Sequence, residues 1–224
     1  MIKILDCTLR DGGYVVDWMF GKNCIQSVTD NLSRAKIDFI ECGFLKECEY
    51  NSNKTFFDSP ERINLKSGRA SLMVNYGEYG LDNFSSAYEN SPIIRVAFKK
   101  HLKKEALEYI NALKLKGWDV FANPMSTNTY SREELAGLIF DLNKIMPYGI
   151  SIVDTLGNMY ERDVVEIFGF IDERLEKDIA IGFHSHNSMQ LSFSNTKALF
   201  KSGIEREIIT VSYTHQTLPT IVPG

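Results

Sequence analysis

Short apolar segments rich in β-branched residues alternate with amphipathic segments along almost all of this 224-residue chain. This alternation constrains the fold most strongly, because strands that alternate with helices pair in parallel. Eight segments have strand character, at residues 2–6, 39–42, 71–75, 93–97, 120–122, 150–154, 179–183 and 207–210. They recur roughly every 25–35 residues, the length of one strand-plus-helix unit. The pattern predicts an α/β chain, and eight units favour a (β/α)₈ TIM barrel over an open sheet.

The segments between the strands carry helix signals. Residues 23–36 and 103–116 each place apolar side chains at helical spacing along one face. Ser131 and Glu134 form the pattern of a capping box ahead of a third such segment. No glycine-rich dinucleotide fingerprint opens the first helix, which counts against an open nucleotide-binding sheet.

The composition is that of an ordinary globular protein, with 44% hydrophobic and 24% charged residues. The formal net charge is −4 and Lys and Arg form no long run, which argues against nucleic acid and anionic membranes as partners. The four cysteines show neither CxxC pairs nor the spacing of a disulfide framework, and we see no secretory or membrane-spanning pattern. We therefore expect a cytoplasmic protein with reduced thiols.

The last segment departs from the pattern. Residues 211–224 have neither helical nor strand periodicity, and they resemble the translation of a transposon-end sequencing adapter. We expect residues 1–210 to form a TIM-barrel catalytic domain that is incomplete, truncated in or just after the eighth strand. Residues 211–224 are then a non-native tail and His215 is no site candidate, the alternative being an ordinary proline-bearing tail.

Polar residues cluster where the predicted strands end, and in a parallel barrel these ends form the mouth where active sites lie. His184 and His186 follow the seventh strand, and residues two apart on an extended chain point the same way. Asp11 lies in a glycine-flanked loop after the first strand. Two imidazoles and one carboxylate suit a divalent cation with open coordination positions. We predict a metal site, the alternative being two hydrogen-bonded histidines without a metal.

Four motifs carry a family resemblance. Asp6-Cys-Thr-Leu-Arg-Asp-Gly12 and Gly182-Phe-His-Ser-His-Asn187 look like the two signatures of the metal-dependent lyase/synthase barrel family. Ile40-Glu-Cys-Gly43 and Val153-Asp-Thr-Leu-Gly157 match its second and sixth strands. That family includes 3-hydroxy-3-methylglutaryl-CoA (HMG-CoA) lyase, 2-isopropylmalate and homocitrate synthases, 4-hydroxy-2-oxovalerate aldolase and the transferase domain of pyruvate carboxylase. The similarity covers about residues 1–210 in the right order.

The resemblance implies that Asp11, His184 and His186 are the metal ligands, and that Arg10 is both catalytic and substrate-binding. A 2-oxo acid can chelate a cation through its carboxylate and ketone oxygens. The cation then acts as a Lewis acid, and the Arg10 guanidinium adds positive charge where an enolate develops. The implied cofactor is a divalent cation, with Mn²⁺ or Mg²⁺ favoured over Zn²⁺ or Co²⁺.

Further site residues follow from the matching motifs. Glu41 would belong to the catalytic set, and Asn123, Asp154 and Thr155 would contact the substrate. In the hydroxy-oxovalerate aldolases an acid/base histidine follows Arg-Asp-Gly, whereas Tyr14 stands in the corresponding region here. Either Tyr14 takes that catalytic role or the role is unfilled. The departure points to an uncharacterised aldolase-type branch of the family.

These features predict a metal-dependent carbon–carbon lyase of the aldolase type, acting through the enolate of pyruvate or another 2-oxo acid. Its partners would be that 2-oxo acid and an aldehyde or acyl-CoA, and a homo-oligomer is compatible with the resemblance. One alternative is a synthase that condenses acyl-CoA with a 2-oxo acid, although Glu-Gln does not follow Arg-Asp-Gly here. The others are an iron oxygenase, whose usual scaffold is all-β, and a barrel that has lost catalysis.

Overall fold

Eight parallel strands close into a barrel in the computed structural model, which describes residues 2–63 and 65–212. The strands of the sheet are β1 (Ile2–Asp6), β2 (Phe39–Leu45), β3 (Phe56–Phe57), β4 (Arg69–Asn75), β5 (Ile93–Phe98), β6 (Val120–Pro124), β7 (Gly149–Asp154), β8 (Ala180–Ser185) and β9 (Ile208–Ser212). The two-residue β3 only extends the pairing of β2. β1 pairs in parallel with both β2 and β9, which closes the ring. The predicted TIM barrel is confirmed.

The helices in the described part of the chain are α1 (Thr8–Asp11), α2 (Lys22–Arg34), α3 (Lys103–Leu115), α4 (Arg132–Ile145), α5 (Glu161–Asp172) and α6 (Ser192–Lys201). Helices α2 to α6 lie between the strands on the outside of the barrel, and the short α1 lies at its mouth. The predicted capping box begins α4, where the Ser131 hydroxyl accepts from the Glu134 amide and the Glu134 carboxylate accepts from the Ser131 amide. In the described residues that follow β2 and β4, 3₁₀ turns at Pro60–Arg62 and Leu81–Asn83 replace the expected helices. No described helix combines the length and apolar character needed to cross a bilayer.

Several strands run further toward the mouth than predicted. β2 continues to Leu45 instead of ending at residue 42. β9 continues to Ser212, so residues 211 and 212, which the sequence assigns to the tail, pair with Leu5 and Asp6 of β1. The ladder of a parallel neighbour satisfies backbone groups whatever the side-chain pattern, and this explains the longer strands. The rest of the predicted tail, residues 213–224, lies outside the described residues.

The barrel interior is layered. A buried apolar layer contains side chains from six strands that contact one another: Leu5, Phe39, Ile93, Phe121, Ala180, Ile209 and Val211. Below it, at the amino ends of the strands, lie the ion pairs Lys3–Glu207 and Arg69–Asp119. Above it lie the buried polar side chains of Glu41, Arg95 and Asn123, and beyond them the mouth. The apolar layer therefore separates two charged regions of one barrel.

Candidate metal centre

Asp11 lies on a helical turn, α1, and the predicted loop at this position is wrong. The amides of Arg10 and Asp11 both donate to the Cys7 carbonyl, at 3.0 and 2.8 Å, which forms α1 directly after β1. Gly12 has an ordinary helical conformation with φ −62°. The turn carries Arg10 and Asp11 back over the barrel axis, where only 5% and 8% of their surfaces are exposed. Two charged side chains at the mouth are thus held by a rigid backbone.

Gly13 is required by the close approach of an aromatic side chain. A Cβ at this position would lie 2.1 Å from Trp18 Cδ1, a distance no packed pair of carbons tolerates. The close approach lets Trp18 Nε1 donate to the Arg10 carbonyl at 2.7 Å. The indole therefore locks the turn that presents Arg10 and Asp11.

His184 in β8 and His186 just after that strand face Asp11 across the mouth. His184 Nε2 lies 3.3 Å and His186 Nε2 lies 3.5 Å from Asp11 Oδ2. The imidazole rings stack with their centroids 4.8 Å apart. Two donor atoms that bind one cation at about 2.1 Å are themselves separated by roughly 3.0–3.4 Å. The structure brings the three predicted ligands together at distances that fit a shared cation.

The orientation of His186 is set by the neighbouring strand. His186 Nδ1 donates to the Asp154 carbonyl at 2.8 Å, so in the neutral ring the lone pair lies on Nε2, toward Asp11. Gly157 permits this contact, because a Cβ there would lie 3.0 Å from the His186 carbonyl carbon and 2.7 Å from the Ser188 amide nitrogen. A lone pair that faces a carboxylate is repelled unless a proton or a cation lies between them. The geometry is suited to a metal ligand.

Electrostatics keep Asp11 ionised. Burial alone would raise its pKa, but the Arg10 guanidinium, whose Nη1 is 2.6 Å from Asp11 Oδ1, and the two imidazoles hold the pKa well below its usual range. Burial lowers the pKa of His184 to about 4, so this ring is neutral at physiological pH. For His186, burial lowers the pKa, but the Asp11 carboxylate outweighs it and the net pKa is raised. Asp11, as a carboxylate, and His184, as a neutral imidazole, are therefore in the protonation states that bind a cation.

Cys7 offers a further donor near this centre. Its Sγ, an Asp11 carboxylate oxygen and a His184 nitrogen all lie within 4.8 Å of one another. Burial raises the pKa of the Cys7 thiol well above its usual value. A thiol that keeps its proton is a poor metal ligand, so His186 is the better third donor.

A buried charge network lies directly beneath the centre. Glu41 is fully buried and accepts from Arg10 Nε and from Arg95 Nη1, both at 2.7 Å. Arg95 Nη2 in turn donates to Asn123 Oδ1 at 2.9 Å. Arg10 Nη2 is buried and has no partner among the described residues. One unused N–H donor group of a fixed guanidinium thus remains beside the candidate metal ligands.

The mouth contains a cavity of about 410 Å³ that unites most of the predicted site. Its lining includes seven predicted site residues: Arg10, Asp11, Tyr14, Asn123, Thr155, His184 and His186. A larger cavity of about 970 Å³ lies near the amino end of β4, but it brings together none of these groups. We therefore place the candidate site in the smaller cavity.

Two predicted site residues do not line this cavity. Glu41 lies under it and contacts the two arginines. Asp154 was predicted to contact substrate, but its carboxylate accepts from the backbone amides of Asn158 and Met159, both at 3.1 Å. These bonds shape the loop after β7, so the side chain of Asp154 is turned away from the mouth. Its carbonyl serves the site by orienting His186.

Arg95 and Trp18 support the site without being among the predicted site residues. Arg95 stands between Ile94 and Val96 in a strand that is otherwise apolar and fully buried. A charge within such a strand requires a buried partner, and this signal could have identified the pair with Glu41. No comparable signal marks Trp18, because its contact with Gly13 depends on the turn geometry.

Curated relatives align with most of this chain. 4-Hydroxy-2-oxovalerate aldolase of Pelotomaculum thermopropionicum is 25% identical over 215 residues, covering 90% of this chain and 62% of that protein. Oxaloacetate decarboxylase of Mycobacterium tuberculosis is 19% identical over 210 residues, with the same coverage of 90% and 62%. The chain thus spans about 62% of the length of these curated relatives.

The structural and family comparisons agree with the barrel. The N-terminal domain of a candidate aldolase from Bacteroides vulgatus superposes with a TM-score of 0.72 at 23% identity, covering 94% of this chain and 72% of that one. A family model described as HMGL-like matches residues 85–212, more than half of the sequence. The resemblance carried by the motifs is confirmed, and the chain belongs to the HMGL-like family.

Proposed function

We propose that this chain is a divalent-metal-dependent lyase of the aldolase type that breaks or forms a carbon–carbon bond next to the enolate of pyruvate or a related 2-oxo acid. The observation that carries the proposal is that the Nε2 atoms of His184 and His186 both lie within 3.5 Å of Asp11 Oδ2. The similarity to proteins named 4-hydroxy-2-oxovalerate aldolase supports the same reaction class.

The donor set fits a divalent cation. Asp11 is ionised, His184 is neutral, and the His186 lone pair needs a positive partner beside Asp11. A carboxylate with two imidazoles leaves coordination positions for a chelating substrate, and we propose Mn²⁺ or Mg²⁺. When bound, the cation would supply Lewis acidity to the ketone oxygen of the substrate.

The protein's own side chains handle the remaining charge and the proton. In the cleavage direction the bond between C3 and C4 of a 4-hydroxy-2-oxo acid breaks, and its electron pair becomes the enolate. Arg10 Nη2 donates to the developing enolate oxygen, since Glu41 and Asp11 hold the rest of the guanidinium in place. C4 and the oxygen of its former hydroxyl become the carbonyl group of the departing aldehyde, and the enolate takes a proton at C3 to give pyruvate.

We propose that Tyr14 moves the proton of the C4 hydroxyl. It lines the cavity and is also 66% exposed, so its hydroxyl can reach both substrate and solvent. Burial of part of the ring raises the pKa of Tyr14, which keeps the phenol protonated at neutral pH. Tyr14 therefore acts as a relay, accepting the substrate proton while it releases its own to water.

The test uses the full chain with Mn²⁺ or Mg²⁺. We expect the pyruvate methyl protons to exchange in D₂O by NMR, and 4-hydroxy-2-oxovalerate to release pyruvate in a coupled dehydrogenase assay. Both signals should disappear with EDTA, return with metal, and fall in Arg10→Met. Metal-independent activity, or no exchange at any metal concentration, would refute the proposal.

Two further assays distinguish the proposed aldolase from related enzymes. A condensing synthase would consume acetyl-CoA in the presence of a 2-oxo acid, and a decarboxylase would release CO₂ from oxaloacetate, the substrate in the name of one relative. We expect neither to exceed the aldol cleavage. We also propose that the barrel, up to the end of β9, is the catalytic domain. We further propose that the protein works in the cytoplasm, as the cysteine spacing suggests.

A further inference from the structure

The helix α1 that carries Arg10 and Asp11 is a single turn of four residues. A helix this short has little stability of its own, and the carbonyl groups at its end need partners from elsewhere in the protein. Two side chains supply such partners. Thr55 Oγ1 donates to the Leu9 carbonyl at 2.8 Å, and Trp18 Nε1 donates to the Arg10 carbonyl at 2.7 Å. The turn is therefore held from outside at two successive carbonyls.

Thr55 is fully buried and lies 46 residues after Leu9 in the sequence. Besides the bond of its hydroxyl, its amide donates to the Trp18 carbonyl at 3.2 Å, and its carbonyl accepts from the Phe44 amide at 3.0 Å. The next residue, Phe56, packs against the Trp18 ring with the centroids 5.0 Å apart. Thr55 thus joins α1, the segment that contains Trp18, and strand β2.

Strand β2 is shaped to admit Thr55. Gly43 has a φ of +152°, and a Cβ there would lie 2.0 Å from the Thr55 carbonyl oxygen, so the position requires glycine. The pairing of β2 with β4 shifts its register between Glu41 and Phe44, where this approach occurs. Glu41 of the same strand binds the Arg10 guanidinium. The backbone of α1 and the side chain of Arg10 are therefore both anchored to β2.

A small movement of α1 would disturb the candidate metal centre. Asp11 Oδ2 lies 3.3 Å from His184 Nε2 and 3.5 Å from His186 Nε2, and a displacement of about 1 Å near a reacting centre can reduce the rate about 100-fold. Leu9 has no exposed surface, so without the Thr55 hydroxyl its carbonyl would lose a partner that water does not replace. Loss of this hydroxyl therefore favours a shift of the turn that carries Asp11.

We propose that Thr55 is a positioning residue, whose hydroxyl fixes the turn that presents Asp11 to the metal and Arg10 to the enolate oxygen. Thr55 is not among the described residues that line the mouth cavity, so it acts through α1. Its effect on catalysis rests on the proposed function, whereas its effect on the turn does not.

Thr55→Val and Thr55→Ser form a matched pair of variants. Valine keeps the shape of threonine and removes the hydroxyl, whereas serine keeps the hydroxyl and removes a methyl group. Ser33→Ala is the control, because the Ser33 hydroxyl also donates to a backbone carbonyl, that of Ser67 at 2.9 Å, near the start of β4. A role in folding alone would weaken Thr55→Val and Ser33→Ala alike.

Hydrogen exchange of the metal-free protein, followed by mass spectrometry, measures the turn itself. The amides of Arg10 and Asp11 both donate to the Cys7 carbonyl, so they exchange when α1 opens. We expect Thr55→Val to exchange about tenfold faster over residues 8–13, the scale of one buried hydrogen bond, while α4 is unchanged. Thr55→Ser and Ser33→Ala should exchange over residues 8–13 like the natural chain.

Metal binding and catalysis give the second measurement. By calorimetry, Thr55→Val should bind Mn²⁺ about tenfold more weakly, the lower end of the effect of groups that orient a ligand. With saturating Mn²⁺, its kcat for exchange of the pyruvate methyl protons in D₂O should fall about tenfold with little change in KM, because the enolate charge that Arg10 meets arises only in the transition state. Thr55→Ser should restore both values.

Natural Mn²⁺ affinity in Thr55→Val would overturn the inference, and so would equal losses of affinity in Thr55→Val and in either Thr55→Ser or Ser33→Ala. Thr55→Cys, whose thiol is a weak donor, should fall between the valine and serine variants, and it replaces Thr55→Val if that variant does not fold. If the natural chain shows no pyruvate exchange, the proposed function fails, while amide exchange and Mn²⁺ affinity still decide the role of Thr55.

Discussion

The barrel interior holds two charged layers of similar composition in opposite surroundings. The upper layer joins Arg10, Glu41 and Arg95, whose side chains are at most 6% exposed. In the lower layer, Lys3 and Glu207 lie 2.7 Å apart, but their side chains are 24% and 28% exposed. Both layers pair Lys or Arg with carboxylates at hydrogen-bonding distance, and only water access distinguishes them.

This difference in water access gives the two layers different roles. An exposed ion pair is screened by water and contributes little to folding, typically about 0–1 kcal/mol. Buried charges depend on their partners, because a lone buried charge costs several kcal/mol. The upper layer is therefore a strongly coupled unit that orients Arg10 toward the candidate metal centre. The lower layer lies between the buried apolar layer and solvent, at the amino ends of the strands, which we call the barrel floor.

The largest effect is expected when a proposed ligand of the upper region is removed. His184→Ala should weaken Mn²⁺ binding at least about 100-fold, since removal of groups that only orient a ligand already costs roughly 10–100-fold. Glu207→Gln in the lower layer serves as the control and should bind normally. Isothermal titration calorimetry on both variants measures this, and retained affinity in His184→Ala would contradict the metal assignment.

The same kind of carboxylate should differ in its contribution to stability between the two layers. Glu41→Gln leaves Arg95 buried without its carboxylate partner and leaves Arg10 with Asp11 alone, and we expect the free energy of unfolding to fall by about 3–5 kcal/mol. Glu207→Gln should change it by about 0–1 kcal/mol. Urea unfolding followed by circular dichroism gives both values. Equal losses in the two variants would remove the distinction between the layers.

The pH dependence of metal binding probes the upper region alone. His186 must lose its proton to bind a cation, and its pKa is raised above 6.5 by Asp11. As pH falls through that pKa, Mn²⁺ affinity should decrease about tenfold per pH unit. His184, with a pKa of about 4, steepens the dependence only in more acidic solution. Titrations between pH 8 and 5 test this, and a flat profile would exclude His186 as a ligand.

The smallest effect is expected at the barrel floor. Asp119→Asn removes the partner of Arg69, which lies 2.5 Å away, but the two side chains are 46% and 36% exposed. We expect a loss below about 1 kcal/mol that shrinks further in high salt. Thermal unfolding at low and high ionic strength measures it. A larger, salt-independent loss would show that the floor is as tightly coupled as the mouth.

Much of the fold and part of the site could be predicted from the sequence. The barrel follows from local apolar patterns, and His184 and His186 follow from their two-residue spacing at a strand end. Arg95 was accessible in principle, since a charge inside an apolar strand needs a partner. The side-chain direction of Asp154 was not, because two backbone amides of the following loop compete for its carboxylate.

By itself, the sequence determined the number and order of the strands and the residue types at their ends, because these depend on short-range periodicity. Only the tertiary structure decided that Glu41 supports two arginines, that Trp18 locks the turn before Asp11, and that Thr55 reaches the same turn. These features join residues tens of positions apart or depend on backbone direction. Closure of the barrel determines which distant residues meet and which way the backbone runs, and no local sequence pattern specifies either.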